Sequence, residues 1–263
     1  MSSEPARSRS RAPRKADGGT VVPLRRDAEA TTACPLAKCD GTGWIDADGG
    51  AVEPCECRSI VRTRSRARGL ASAIPPRYRG VSFERPPLSD MARQPESRNV
   101  VAAVRDYADA VEERLDEGQS LWLTGDVGTG KTTLAMAVSA AAAQAGRSVA
   151  IYSLPRLLAR IRRTYDADSG EDSYLAFFER LTSVDLLHID DLGAEKRSDW
   201  VLEQLYAIVD ERYGSQRSMV VTTNLEETDL EEQIGARTVS RLVEICGDPL
   251  PLHGEDMRYR IGL

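Results

Sequence analysis

The 263 residues are 41% hydrophobic and 29% charged, with a net charge of −6, five cysteines and only three phenylalanines and three tryptophans. That is the balance of a globular protein with an aliphatic core, long enough for one large domain and a small appendage. No apolar run reaches the ~18–20 residues of a membrane span, and no apolar stretch follows the Ser-, Arg- and Pro-rich start, which excludes a membrane protein and a secretory leader and makes the expected location cytoplasmic.

Charge is unevenly spread. Residues 1–79 hold 15 basic and 9 acidic side chains, and residues 80–263 hold 20 and 32. A basic front end on an acidic body points to an anionic partner for the front end, or to a solvated tail and a solubilising surface. Residues 1–32 lack periodicity and read as a disordered basic tail. Residues 33–58 hold Cys34, Cys39, Cys55 and Cys57 around Asp40-Gly41-Thr42-Gly43-Trp44. Four thiols in two close pairs, in a compartment that keeps thiols reduced, suit one tetrahedral Zn²⁺, with unligated thiols as the alternative. Residues 59–79 form a basic linker that includes Arg62, Arg64, Arg66, Arg68, Arg77 and Arg79 and the breaker Ile74-Pro75-Pro76.

Residues 80–263 form the main domain. Val100, Val104, Tyr107, Val111 and Leu115 recur at helical spacing, and Gly118 ends that helix. An apolar strand at Leu121–Thr124 leads through a glycine-rich turn into an Ala-rich helix reaching about Ala145. A strand at Val149–Tyr152 precedes a helix that Pro155 opens, running to about Tyr165. After the acidic break Asp166–Asp172 come a helix around Tyr174–Leu181 and a fully apolar strand, Val184–Ile189, ending in Asp190-Asp191. Ser198 caps the next helix, Met219–Thr222 is a strand, Thr228 and Glu231 form a capping box, and Ala236–Ile245 is a last helix. Short apolar strands alternating with helices predict an α/β fold, a parallel sheet with helices on both faces.

Gly125-Asp126-Val127-Gly128-Thr129-Gly130-Lys131-Thr132 fits G-x-x-x-x-G-K-[ST] between a strand and a helix. Glycines let backbone amides turn inward around a phosphate, and the following helix points its positive end at the same anion. ATP is the expected ligand, held by Gly125, Val127, Gly128, Thr129, Gly130, Lys131, Thr132 and Thr133. Lys131 is expected at the β- and γ-phosphates, and Thr132 with Asp190 on Mg²⁺. A buried strand that delivers acids at its carboxyl end is where that metal should sit, with Asp191 as general base. His188, inside the same strand, reads as a satisfied core histidine.

Taken together, GDVGTGKT, LLHIDDLGAEK with SDWVLEQLYAIVDERY, VVTTN, GARTVSRL and GEDMRYR resemble the AAA+ ATPases, specifically the DnaC/DnaI-type helicase loaders and their IstB relatives, over about Ile74 to Leu263. The resemblance implies a P-loop AAA+ sheet without a full α-helical lid, since the chain stops at Leu263. It implies that Asn224 orients the lytic water, that Arg237, with Arg241 in support, is an arginine finger acting on a neighbouring subunit, and that Arg258 lies near the nucleotide. ATP sites would then sit at subunit interfaces of a homo-oligomer. The acidic pair is Asp-Asp where many AAA+ enzymes have Asp-Glu, which implies slow, switch-like turnover. Pro155–Leu181 occupies the place where initiator relatives add elements toward single-stranded DNA; Arg156, Arg160, Arg162, Arg163 and Tyr165 are candidate contacts, or a solvated amphipathic face. The cysteine module resembles the zinc module of some loaders, where it would dock a DnaB-like replicative helicase. The expected function is ATP-dependent loading of that helicase onto single-stranded DNA during replication initiation, with an IstB-type ATPase assisting a transposase as the alternative.

Overall fold

The computed structural model describes residues 34, 36–39, 44–47, 51–57, 74–165, 174–254 and 256–257. The expected basic tail, most of the basic linker, the acidic break and Arg258 lie outside the described residues. The chain divides into two compact units after Cys55. In the first, β1 (Trp44–Ala47) pairs antiparallel with β2 (Ala51–Pro54), Trp44 opposite Pro54. A lone hairpin of this size is marginal in water, so the cysteines beside it matter to its stability.

In the second unit, β3 (Leu121–Thr124), β4 (Val149–Ser153), β5 (Leu186–Asp190), β6 (Ser218–Thr222) and β7 (Leu250–Pro251) form one sheet in the order β4-β5-β6-β3-β7, with every described pairing parallel. Successive residues of a strand point to opposite faces, and the apolar side chains here divide accordingly. Trp122, Ala150, Leu187, Ile189, Met219 and Val221 enter one core, while Leu121, Leu123, Ile151, Leu186 and Val220 enter the other. Strands buried on both faces read as continuous apolar runs, and this is why they stand out in the sequence.

Helices α1 (Leu88–Met91), α2 (Arg98–Asp109), α3 (Val111–Asp116) and α4 (Lys131–Gln144) pack into the second core. The opposite face is covered by α5 (Leu154–Arg163), α6 (Tyr174–Ser183), α7 (Asp199–Gly214), α8 (Glu227–Ile234) and α9 (Ala236–Cys246). The predicted α/β class is the observed one, and among the described residues α9 is the last helix.

Three local expectations change. The single helix expected over residues 100–115 breaks at Ala110 (φ −103°, ψ 25°), and Val111 and Leu115 beyond the break remain buried in the same core. The capping box is absent: α8 begins at Glu227 after Glu226, leaving Thr228 inside the first turn. Strand β7 was not anticipated, since two residues, one of them proline, carry no period to read. Ser198 does cap α7, its side chain accepting the Val201 N–H.

Candidate nucleotide site

Strands β5, β6 and β3 are neighbours in the sheet, so the turns leaving their carboxyl ends meet at one edge. In an open α/β sheet this edge is where ligands bind. The turn after β3 is the glycine loop. Gly128 (φ 85°) and Gly130 (φ 101°) are left-handed, and a Cβ on Gly125 would strike the Leu252 carbonyl oxygen. The loop is braced from within by the Thr129 hydroxyl, which donates to Asp126 O at 2.9 Å, while Val127 at the tip is 51% exposed. Lys131, 5% exposed, donates from Nζ to Gly125 O and Asp126 O, both at 2.6 Å. Its ammonium is thus held at the loop, at the first turn of α4, where helix amides and charge together favour an anion.

At the end of β5, Asp190 Oδ1 accepts from Thr132 Oγ1 at 2.9 Å and from Thr222 Oγ1 at 2.7 Å. The next residue, Asp191, adopts φ 57°, and its N–H donates to Thr222 Oγ1 at 3.0 Å. Hard oxygen donors from Thr132 and Asp190, already in contact, fit a Mg²⁺ partly coordinated by phosphate. Gly128, Gly130, Lys131, Thr132, Thr133, Asp191 and Asn224 share one open cleft. Sequence reasoning missed its other wall, formed by Arg77, Tyr78, Pro87 and Met257. No periodic signal marks them, and they arrive from both ends of the domain. It also missed Thr222, which the apolar pattern absorbed into a strand.

His188 is fully buried, and burial pushes its pKa down to about 3, so the ring is neutral. Nδ1 meets Ser139 Oγ at 2.9 Å, but Nε2 has no partner among the described residues, so the expected satisfied histidine is satisfied on one nitrogen there.

Arg237 lies elsewhere. It is exposed on α9 and lines a groove with Tyr206, Ser240, Arg241 and Glu244, none of which borders the nucleotide cleft. Arg241 is committed within its own fold, to Asp210 at 3.3 Å, to Glu244 at 3.1 Å, and over the Tyr213 ring at 4.2 Å. Of the candidate DNA contacts, Arg160 lies over Phe177 and Arg162 over Trp200 (4.6 Å), whereas Tyr165, 54% exposed, stacks on Tyr174 at 5.3 Å.

The sulfurs of Cys34, Cys39, Cys55 and Cys57 lie within 4.8 Å of one another, with Cys34 and Cys55 at 3.9 Å. Tetrahedral Zn–S bonds of ≈ 2.3 Å would set sulfurs about 3.8 Å apart, so the cluster fits zinc. Burial opposes ionisation of Cys34, but the Leu36, Lys38 and Cys39 amides outweigh it and lower its pKa to about 6, which favours the thiolate a metal needs.

The chain is 31% identical over 147 residues to the replicative helicase loader DnaC of Buchnera aphidicola from Schizaphis graminum, which covers 55% of this chain and 57% of that protein. It is 32% identical over 149 residues to the putative insertion sequence ATP-binding protein y4pL of Sinorhizobium fredii, covering 55% and 58%. The chain therefore spans little more than half the length of these relatives. Among solved structures, the DnaC helicase loader superimposes with a TM-score of 0.58 at 24% identity, covering 68% of this chain and all of that one, a likeness of fold. The family model described as "IstB-like ATP binding protein" matches residues 108–260, from α2 to beyond Met257. Those residues include the glycine loop, both aspartates and Asn224, and on that match the chain belongs to the IstB-like ATP-binding family, homologous to the DnaC loaders.

Proposed function

We propose that this protein is a Mg²⁺-dependent ATPase that loads a DnaB-like replicative helicase onto single-stranded DNA. The observation that carries the catalytic part is the hydrogen-bonded set Thr132–Asp190–Thr222 beside Lys131, with Asp191 and Asn224 on the same cleft. Lys131 and the loop amides bind the β- and γ-phosphates, and Tyr78, Pro87 and Met257 offer apolar surface to the base. Asp191 takes a proton from the attacking water, and Asn224 orients that water. When bound, Mg²⁺ neutralises charge on the phosphates, with Thr132 and Asp190 as its protein-side oxygens. Phosphate release under ATP saturation, with and without single-stranded DNA, tests this reading; no hydrolysis in either condition would refute it.

Arg237 lines a different groove from its own cleft, which supports action on a neighbouring copy in a cytoplasmic homo-oligomer. Arg237→Ala is then expected to lower turnover by ~10³-fold with ATP affinity unchanged, since a finger stabilises charge only in the transition state. Mixing Arg237→Ala with Lys131→Ala should restore part of the rate, because some interfaces pair an intact finger with an intact cleft. No recovery on mixing would place Arg237 outside the reaction.

For the loader role, the cysteine module is the proposed helicase dock, holding zinc. The purified protein should carry about one zinc per chain, lost in the Cys55→Ser/Cys57→Ser double variant together with helicase capture but without loss of ATP binding. A metal-free protein that still captures helicase would remove the module from docking. Similarity to y4pL favours a second reading, an ATPase assisting a transposase. Capture of a transposase with indifference to helicase would select it.

A further inference from the structure

Thr222 closes β6 with its side chain fully buried, at a position where valine would fill the same volume. A hydroxyl kept inside a core needs partners, and this one makes two bonds of opposite sense. It donates to Asp190 Oδ1 at 2.7 Å and accepts from the Asp191 N–H at 3.0 Å. The neighbouring backbone continues the clasp: Leu192 N–H donates to Thr222 O at 2.8 Å, and Thr223 Oγ1 donates to Leu192 O at 2.7 Å. Thr223 Oγ1 also accepts from the Leu225 N–H at 3.1 Å, fixing the turn after β6 that carries Asn224.

The turn so held is strained. Asp191 sits at φ 57°, in the left-handed region that non-glycine residues seldom adopt, aspartate more readily than most, and that its surroundings must hold. The Asp191 amide at that strained residue is the one Thr222 receives. Thr132, the other donor to Asp190, belongs to α4 and faces the cleft. Thr222 holds the carboxylate from the β6 side whichever way the Thr132 hydroxyl turns.

We infer that Thr222 is a positioning residue for ATP hydrolysis, its single hydroxyl fixing the Asp190 carboxylate and the Asp191 backbone relative to the turn after β6 that carries Asn224. This inference rests on the ATPase reading and assigns to it a residue that touches no substrate. Thr222→Val removes the hydroxyl and keeps the shape, while Thr222→Ser keeps the hydroxyl.

In the full-length protein, Thr222→Val is expected to lower kcat by about 10–100-fold, the usual effect of removing a group that orients a ligand-bearing carboxylate. KM for ATP should stay within ~3-fold, and Thr222→Ser should return kcat to within ~3-fold of the original. A purely structural role would not produce that split or that rescue. The second readout needs no activity: amide exchange of the segment 186–193 in nucleotide-free protein should quicken in Thr222→Val and not in Thr222→Ser. Should Thr222→Val fold poorly, Thr222→Cys, a weak donor of similar size, should fall between the two in both measurements. Equal kcat in Thr222→Val and the unaltered protein, or a Thr222→Ser as impaired as Thr222→Val, would overturn the inference. If the unaltered protein hydrolyses no ATP, the ATPase reading falls, and the clasp is judged on exchange alone, where identical rates in Thr222→Val and the parent overturn it.

Discussion

Replacing Lys131 with alanine should reduce ATP affinity by at least ~10-fold and turnover by about 10²–10³-fold, with the fold unchanged. The Lys131 residue is 5% exposed, and two carbonyls of the glycine loop, Gly125 O and Asp126 O, hold its ammonium at 2.6 Å. Partial burial weakens the screening of its charge, so its attraction for a phosphate exceeds that of a surface lysine. Binding transfers the ammonium from neutral carbonyl oxygens to an anion, and the attraction grows as negative charge builds on the transferred phosphoryl group. Lys131→Arg should not rescue, because a planar fork does not replace a compact point charge among backbone carbonyls. Nucleotide titration with phosphate release measures both effects, and circular dichroism verifies the fold. Hydrolysis at the original rate in Lys131→Ala would remove the glycine loop from catalysis.

The largest stability effect is expected at Arg212, far from the cleft. This side chain on α7 is fully buried and meets the backbone at the end of α6 and at the starts of two strands. Its Nη1 donates to Thr182 O and Val184 O, both at 3.0 Å, and Nη2 donates to Asp185 O at 3.3 Å and to Ser218 O. Burial lowers its pKa to about 9, high enough to keep it charged at neutral pH. The guanidinium satisfies carbonyls at the end of α6 and at the entrances to β5 and β6. Arg212→Ala leaves them buried without donors and opens a cavity, and the expected loss is ~3–5 kcal/mol, or roughly 10 °C in Tm. Arg212→Lys should recover little, since one ammonium cannot span the same set of oxygens. Thermal melting decides the matter: a loss under about 1 kcal/mol for Arg212→Ala would show that the carbonyls find other donors.

Arg212 and Lys131 differ sharply in how visible they are in the sequence. Lys131 lies in an eight-residue pattern in which each residue type has a local reason, so its role is readable without a fold. Arg212 reads as one charged residue in a helix of mixed composition, and its partners come from residues 182–185 and 218. The same contrast runs through the site. Asp190 is legible because an apolar strand ends on it. Thr222 is not, because its meaning depends on β6 lying between β5 and β3. The helix break at Ala110 and the false capping box at Thr228 show the reverse: local signals were present, and the fold did not follow them.

By itself the sequence determined the α/β class, and it marked the glycine loop after β3 and the two aspartates at the end of β5, because these follow from periodicity and short-range spacing along the backbone. The tertiary structure decided that β7 lies beside β3, that Tyr78 and Met257 share a cleft with Lys131, that Thr222 clasps the acidic turn and that Arg212 is inside. Each of those joins residues far apart in the chain, and such contacts form only where buried surfaces and backbone hydrogen bonds are satisfied together, which no local pattern records.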